Sequence, residues 1–290
     1  MVRSVGFGVT NKCFEPIAKE IMLRPLKKLI VKSGYHSKPD FMIVGAQKAG
    51  TTGLFDILIQ HSRLRCAGTK EIHYFSDNDW CGPQNHWEYH CYFPLPLQLA
   101  RGTKLFEASA SYLNHPRVAR RLHSYKPDLK LIILLRDPAE RAFSAWTMTH
   151  HLFRTGRMRP KHDPRTFTEV VNDELENWSK RTYENYESAY VQRGLYHDQL
   201  QAYLKYFSWD QIHLVESADL IHKFDETIRG ILSFIGVNYE PLSLALTNRA
   251  EIRENEKYQA DILRLREFYR PYNEKLFELI GRKLPSFRDI

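Results

Sequence analysis

Residues 131–135 read LIILL, five apolar side chains in a row, and the next three residues are Arg136, Asp137 and Pro138. A strand with one wet face alternates polar and apolar residues, whereas a strand covered on both faces carries an unbroken apolar run. A run this short, ending in a charge and a proline, constrains the chain to a buried strand whose carboxyl end meets a helix start. With 129–135 as its full extent, the run has three counterparts: FMIV at 41–44, KLFE at 104–107 and IHLVE at 212–216. Stretches with helical spacing lie between and after them, at 54–61, 116–125, 140–150, 196–207, 226–235 and 258–279. Buried strands alternating with helices predict an α/β fold, a central parallel sheet flanked by helices on both faces. The polar region 154–185, containing GRMRPKHDPR, reads as an excursion or lid.

The 290 residues, 43% of them apolar, suffice for one large core. A single domain is expected over 39–290, behind a helical extension at 1–38. Its segment FEPIAKEIMLRPLKKLIVKSG is interrupted by charges and lacks a signal peptide's apolar centre. A helix on the outside of the domain is the expectation, with contact to an anionic membrane the sharper alternative. No apolar run approaches the ~20 residues of a transmembrane helix. Cys13, Cys66, Cys81 and Cys91 form no CxxC pair, so neither a zinc site nor a disulfide framework is expected, and a reduced compartment is the simpler reading. Forty-two Lys and Arg against 34 Asp and Glu favour an anionic partner. No RNP, zinc-finger or basic-helix pattern points to nucleic acid.

The stretch PDFMIVGAQKAGTTGLF, residues 39–55, places a glycine-containing turn between the first strand and a helix beginning near Thr51. Such a junction aims free backbone N–H groups and the positive end of a helix at an anion, which makes it P-loop-like. In the ATP-type pattern GxxxxGK[ST] a lysine follows the second glycine and reaches the β- and γ-phosphates. Here Thr51 stands in that place, and Lys48 lies inside the loop. That displacement suits a nucleotide whose transferred group is not a third phosphate.

GAQKAGTTGLF resembles the 5′-phosphosulfate loop of the sulfotransferase superfamily, and LIILLRDPAERAFSAW resembles the same family's 3′-phosphate segment. The likeness continues through KEIHYF, RGLYHDQLQAYLKYF and the C-terminal NEKYQADILRLREFYRPYNEKLFELIG, covering 39–281. It is strongest toward the heparan-sulfate and bacterial carbohydrate branch. The resemblance implies transfer of a sulfuryl group from 3′-phosphoadenosine 5′-phosphosulfate, PAPS, to a hydroxyl or an amine, leaving PAP and needing no metal ion.

On that resemblance the loop residues Gln47, Lys48, Ala49, Gly50, Thr51 and Thr52 cradle the 5′ end of the donor, and Arg136 and Ser144 hold its 3′-phosphate. Arginine suits the latter role because its guanidinium grips phosphate with two hydrogen bonds. Asp137 and Arg141 are read as a structural helix pair. Glu71 matches the family's catalytic base, Lys48 the cation that neutralises the departing phosphate, and His73 a neighbour that orients base or acceptor. If the segment is extended, Glu71 and His73 share a face. Lys257 and Tyr258 match a loop that closes over the donor, although Gln259 stands where proline is frequent. Tyr196, with Arg193 and Gly194, matches a further segment near the donor.

Ala108 replaces a lysine that heparan-directed members often carry, which leaves room for a neutral sugar or a small metabolite as acceptor. The stretch 73–93, HYFSDNDWCGPQNHWEYHCYF, reads equally as a platform for a sugar ring and as plain core. A luminal anchor and a C-terminal disulfide, found in Golgi members, are not evident, so a cytoplasmic enzyme is expected. The alternative activity is a P-loop small-molecule kinase.

Overall fold

The computed structural model describes residues 17–154, 163–178, 189–244 and 256–288. The chain begins with α1 (Ile17–Lys32) and continues through β1 (Phe41–Gly45), α2 (Thr51–Leu58), β2 (Leu64–Cys66), α3 (His86–His90), β3 (Lys104–Ala108), α4 (Val118–Tyr125) and β4 (Lys130–Leu135). After these come α5 (Pro138–Arg154), α6 (Phe167–Glu176), α7 (Tyr196–Leu204), β5 (Ile212–Glu216), α8 (Asp219–His222), α9 (Phe224–Ile235) and α10 (Gln259–Ile280).

The five strands form one parallel sheet in the order β2-β3-β1-β4-β5. Every residue of β1 is buried, and so are Leu131 through Leu135 of β4, so both faces of the sheet are covered. Burying each such side chain is worth roughly 1.5–3 kcal/mol. From β1 the chain runs to β2 and β3 on one side, then crosses to β4 and β5 on the other. The order therefore reverses at β1, and in open α/β sheets ligands bind at such a point, beyond the carboxyl ends of the strands.

A second apolar cluster, beside the sheet core, joins α5, α6 and α10 through Phe143, Trp146, Phe167, Tyr258, Leu265 and Tyr269. It accounts for a departure from expectation within 154–185. Phe167, Val170 and Val171 give that region an apolar stripe that docks α6 onto α5. Thr166 caps the helix by accepting from Glu169 N–H while the Glu169 carboxylate accepts from Thr166 N–H at 2.7 Å, a capping box. Residues 155–162 and 179–188 lie outside the described residues. The aromatic stretch 73–93 resolves as core: Tyr74, Phe75, Tyr89 and Phe93 are fully buried, with Tyr74 stacked on Tyr89 at 4.8 Å. Helix α1 packs beside α3, with Lys32 Nζ 4.0 Å from the centre of the Trp87 ring.

His90 sits in this aromatic core, its Nε2 2.8 Å from Tyr125 Oη and its ring edge-on to His36. Burial, followed by the charges of His36, Lys38 and His86, pushes its pKa down to about 3. Burial and the Arg121 and Arg117 charges take His115 down to about 4. Both values lie below the ordinary histidine range, so the unfolded chain binds more protons than the folded one in acid. The shift costs little well above pH 6.5, and stability is lost as pH falls from there toward 4. Between pH 6.5 and 5 both histidines lower the stability of the folded chain, because the unfolded chain takes up the protons that the folded one refuses. Thermal melting should thus drop markedly over this interval, and His90→Gln should flatten the slope; a melting midpoint indifferent to pH here would contradict the assignment.

Candidate active site

Strand β1 ends at Gly45 because nothing larger fits. A Cβ there would stand 2.5 Å from Leu113 Cβ and 3.1 Å from Ala110 O. Leu113 cannot retreat easily, since its N–H donates to Val44 O at 2.8 Å. The chain then turns through Ala46, whose N–H is held by Leu134 O at 2.8 Å, and through Lys48 and Gly50, both with positive φ (69° and 95°). Gly50 caps α2 in the left-handed conformation with no side-chain hydrogen bond. The first N–H groups of α2 have no intrahelical acceptor and face the turn.

Pairing of β1 with β4 sets Arg136 beside this turn. Arg136 Nη1 lies 3.4 Å from Lys48 O, and Nη2 pairs with Glu140 Oε2 at 3.2 Å. Tyr196 Oη donates to Arg136 O at 3.0 Å, fixing the backbone from which the guanidinium extends. Lys48 Nζ rests 3.7 Å from Met148 Sδ. Burial first, and the Arg136 charge second, push the Lys48 pKa below the usual lysine range. A partly desolvated ammonium facing another cation is poised to gain from an incoming anion.

Glu71 arrives from the other side of the same cleft. Its N–H donates to Ala108 O at 2.8 Å, and its Oε2 accepts from Ala110 N–H at 3.0 Å. Oε1 takes a short bond from Lys70 Nζ. Ala110 therefore touches Glu71 with its N–H while its carbonyl abuts Gly45, so the carboxylate and the turn flank one residue. His73 Nε2 approaches Glu71 Oε2 at 3.7 Å, and His73 Nδ1 meets Ser111 Oγ at 2.9 Å. The segment is not extended, as the sharing of a face would require: Glu71 has φ 59° and His73 φ 61°. Among the described residues, the only non-glycine residues with positive φ are Lys48, Glu71 and His73. Each such backbone costs of order 1–3 kcal/mol, and such outliers cluster at functional sites.

The remaining expected residues are placed unevenly. Gln47 accepts a short bond from Arg193, which the RGLY segment supplies. Ala49 and Thr51 are buried and Thr52 is exposed. Ser144 lies on α5, eight residues beyond Arg136, and is half-buried. Lys257 is exposed, with Nζ 5.0 Å from the Tyr258 ring, whereas Tyr258 is buried against Phe143, Trp146 and Phe167, away from solvent. Sequence reasoning missed Glu140, whose spacing of four from Arg136 was the available signal, and the carboxylate of Glu107 beneath Ser109. Among the described residues no group of three metal-ligating side chains converges, and no helix is long and apolar enough to cross a membrane.

The sequence matches the family described as the sulfotransferase domain over residues 38–260. The chain belongs to the sulfotransferase domain family. A mouse heparan sulfate glucosamine 3-O-sulfotransferase, form 3B1, is 25% identical over 281 residues, 89% of this chain and 67% of that protein. The mouse bifunctional heparan sulfate N-deacetylase/N-sulfotransferase 4 is 28% identical over 208 residues, 69% of this chain but 22% of that one. The crystal structure of a sulfotransferase from Alicyclobacillus acidocaldarius superposes with a TM-score of 0.64 at 28% identity, covering 87% of this chain and all of its own. This sulfotransferase thus spans about two thirds, or less, of the curated relatives named here.

Two glycines of the turn separate two kinds of constraint in this sulfotransferase. Gly50→Ala meets nothing closer than 3.5 Å but pays for its left-handed backbone, about 1–2 kcal/mol, and Gly50→Asn should recover part of it. Gly45→Ala overpacks against Leu113 at a cost of about 1–3 kcal/mol, and Gly45→Asn should be worse. Equal melting temperatures for the two Asn variants would refute this division.

Proposed function

We propose that this sulfotransferase uses 3′-phosphoadenosine 5′-phosphosulfate as donor and Glu71 as the base that activates the acceptor. The observation that carries the reading is the coincidence of Lys48, Glu71 and His73 as the described non-glycine residues of left-handed backbone, gathered about the turn after β1. The α2 N-terminus and Lys48 fit an anionic 5′ group, and Arg136, half-buried beside the turn with its guanidinium on Lys48 O and Glu140, fits a phosphate that displaces that carboxylate.

In this scheme Glu71 Oε2 accepts the acceptor's proton as its oxygen bonds to sulfur. The sulfur–oxygen bond to the 5′-phosphate breaks in line, and Lys48 stabilises the charge left on that phosphate oxygen. His73, joined to Glu71 and to Ser111, orients the carboxylate. The names of the relatives favour a saccharide acceptor, and they include a glucosamine 3-O-sulfotransferase and an N-sulfotransferase of heparan sulfate. Ala108 leaves no cation at the end of β3, which favours a less acidic acceptor than heparan sulfate. The kinase reading lacks its lysine, since Thr51 opens α2 directly after Gly50.

Calorimetric titration with 3′,5′-adenosine bisphosphate, adenosine 5′-monophosphate and ATP, each with and without magnesium, tests the donor. The bisphosphate should bind best, without magnesium, and Arg136→Ala should abolish the preference; preference for ATP with magnesium would overturn the reading. Glu71→Gln should lower turnover roughly 10²–10⁴-fold with little change in bisphosphate affinity. Lys48→Ala should lower turnover roughly 10²–10³-fold, and wild-type turnover in either variant would remove that residue from the mechanism.

A further inference from the structure

Glu107 is an acidic residue in the middle of an apolar sheet. It lies on β3, paired in register with Met42, and is fully buried. Tyr89 Oη donates to its Oε2 at 2.6 Å and Ser109 Oγ to its Oε1 at 2.6 Å. Burial raises its pKa above the usual carboxylate range, while hydrogen bonds from Ser109, Tyr89 and Tyr112 work against that rise. A carboxyl at such a position is costly unless fully bonded, and an apolar residue would serve the core alone at least as well.

The bonds of the next three residues lead from this carboxylate to the active site. Because Ser109 gives its hydroxyl proton to Glu107, its lone pairs are turned toward His73 N–H, which donates to Oγ at 3.2 Å. Ser109 N–H is tied to Ile43 O of β1 at 3.1 Å. On either side, Ala108 O accepts from Glu71 N–H and Ala110 N–H donates to Glu71 Oε2. Residues 107–110 thus hold both left-handed residues, Glu71 and His73, and register them against the strand that carries the phosphate turn.

We propose that Glu107 and Ser109 are positioning residues of the transfer reaction, fixing the backbone of Glu71 and His73 in the left-handed conformation that points the carboxylate at the acceptor. The proposal rests on the reading of Glu71 as base. It assigns Glu107 no proton transfer: the carboxylate orients the Ser109 hydroxyl, and the hydroxyl holds the His73 amide.

The test compares Ser109→Ala, which cuts the link to His73, with Tyr89→Phe, which removes the opposite hydrogen bond to Glu107 and leaves that link whole. Three quantities are read on the full chain: amide hydrogen exchange of residues 71–76, affinity for 3′,5′-adenosine bisphosphate, and hydrolysis of the phosphosulfate with water as acceptor. Ser109→Ala should speed exchange at 71–76 and slow hydrolysis by about tenfold each, the scale of one lost buried hydrogen bond, with bisphosphate affinity within about twofold of wild type. Tyr89→Phe should lower the melting temperature yet leave exchange at 71–76 and hydrolysis near wild type. Unchanged exchange in Ser109→Ala, or equal losses in both variants, would overturn the proposal and reduce the cluster to core packing. Glu71→Gln serves as reference. If it hydrolyses the donor as fast as wild type, the base assignment fails, while the exchange result still decides whether Ser109 positions the segment.

Discussion

The approach of residues 108–113 to Gly45 governs this molecule. Parallel pairing of β3 with β1 brings the chain leaving β3 across the carboxyl end of β1, where Leu113 bonds to Val44 and packs on the Cα of Gly45. Only a glycine lets the two backbones come so close. With that contact made, Ala110 stands between the turn after β1 and Glu71, and two parts of the chain more than twenty residues apart face one another across a single peptide. The pairing of β1 with β4 performs the same office on the opposite side, setting Arg136 against Lys48. The cleft is therefore a product of strand order, with β1 at the point of reversal.

Electrostatics completes what topology begins. The turn gathers a helix N-terminus, a lysine losing its hydration and two guanidinium groups, all of one sign, and the side chains are also held by neutral partners: Met148 for Lys48, the Lys48 carbonyl for Arg136, Gln47 for Arg193. Like-signed groups brought this close suit an anion better than they suit one another.

Much of the frame was legible in the sequence. Short, largely apolar runs marked β1, β3, β4 and β5 to within a residue or two, and in β1 and β4 the run is unbroken because strands buried on both faces have no reason to alternate. Strand β2 escaped notice: it is three residues long and its centre is Arg65, exposed at the sheet edge. Helix α6 was hidden in a polar region because its apolar stripe faces α5 and α10 alone. The junctions of β1 with α2 and of β4 with α5 were legible too, and with them the positions of Lys48 and Arg136 at the ends of neighbouring strands. The network beneath Glu71 was not, since Glu107 reads locally as an ordinary polar end to a strand and its partner Tyr89 lies eighteen residues before it. Nor could the left-handed backbones of Glu71 and His73 be read, because they are imposed by contacts from 108–111 rather than by their own residue types.

Arg136 is not a free cation waiting in solvent. Glu140 holds its guanidinium, and the same carboxylate also meets Arg266 at 3.3 Å and Arg288 at 4.0 Å. Any anion that reaches Arg136 therefore enters as a rival to a resident carboxylate, and one that leaves finds its place taken at once. Such an arrangement never leaves the Arg136 guanidinium as a bare charge in the cleft, whether or not an anion is bound.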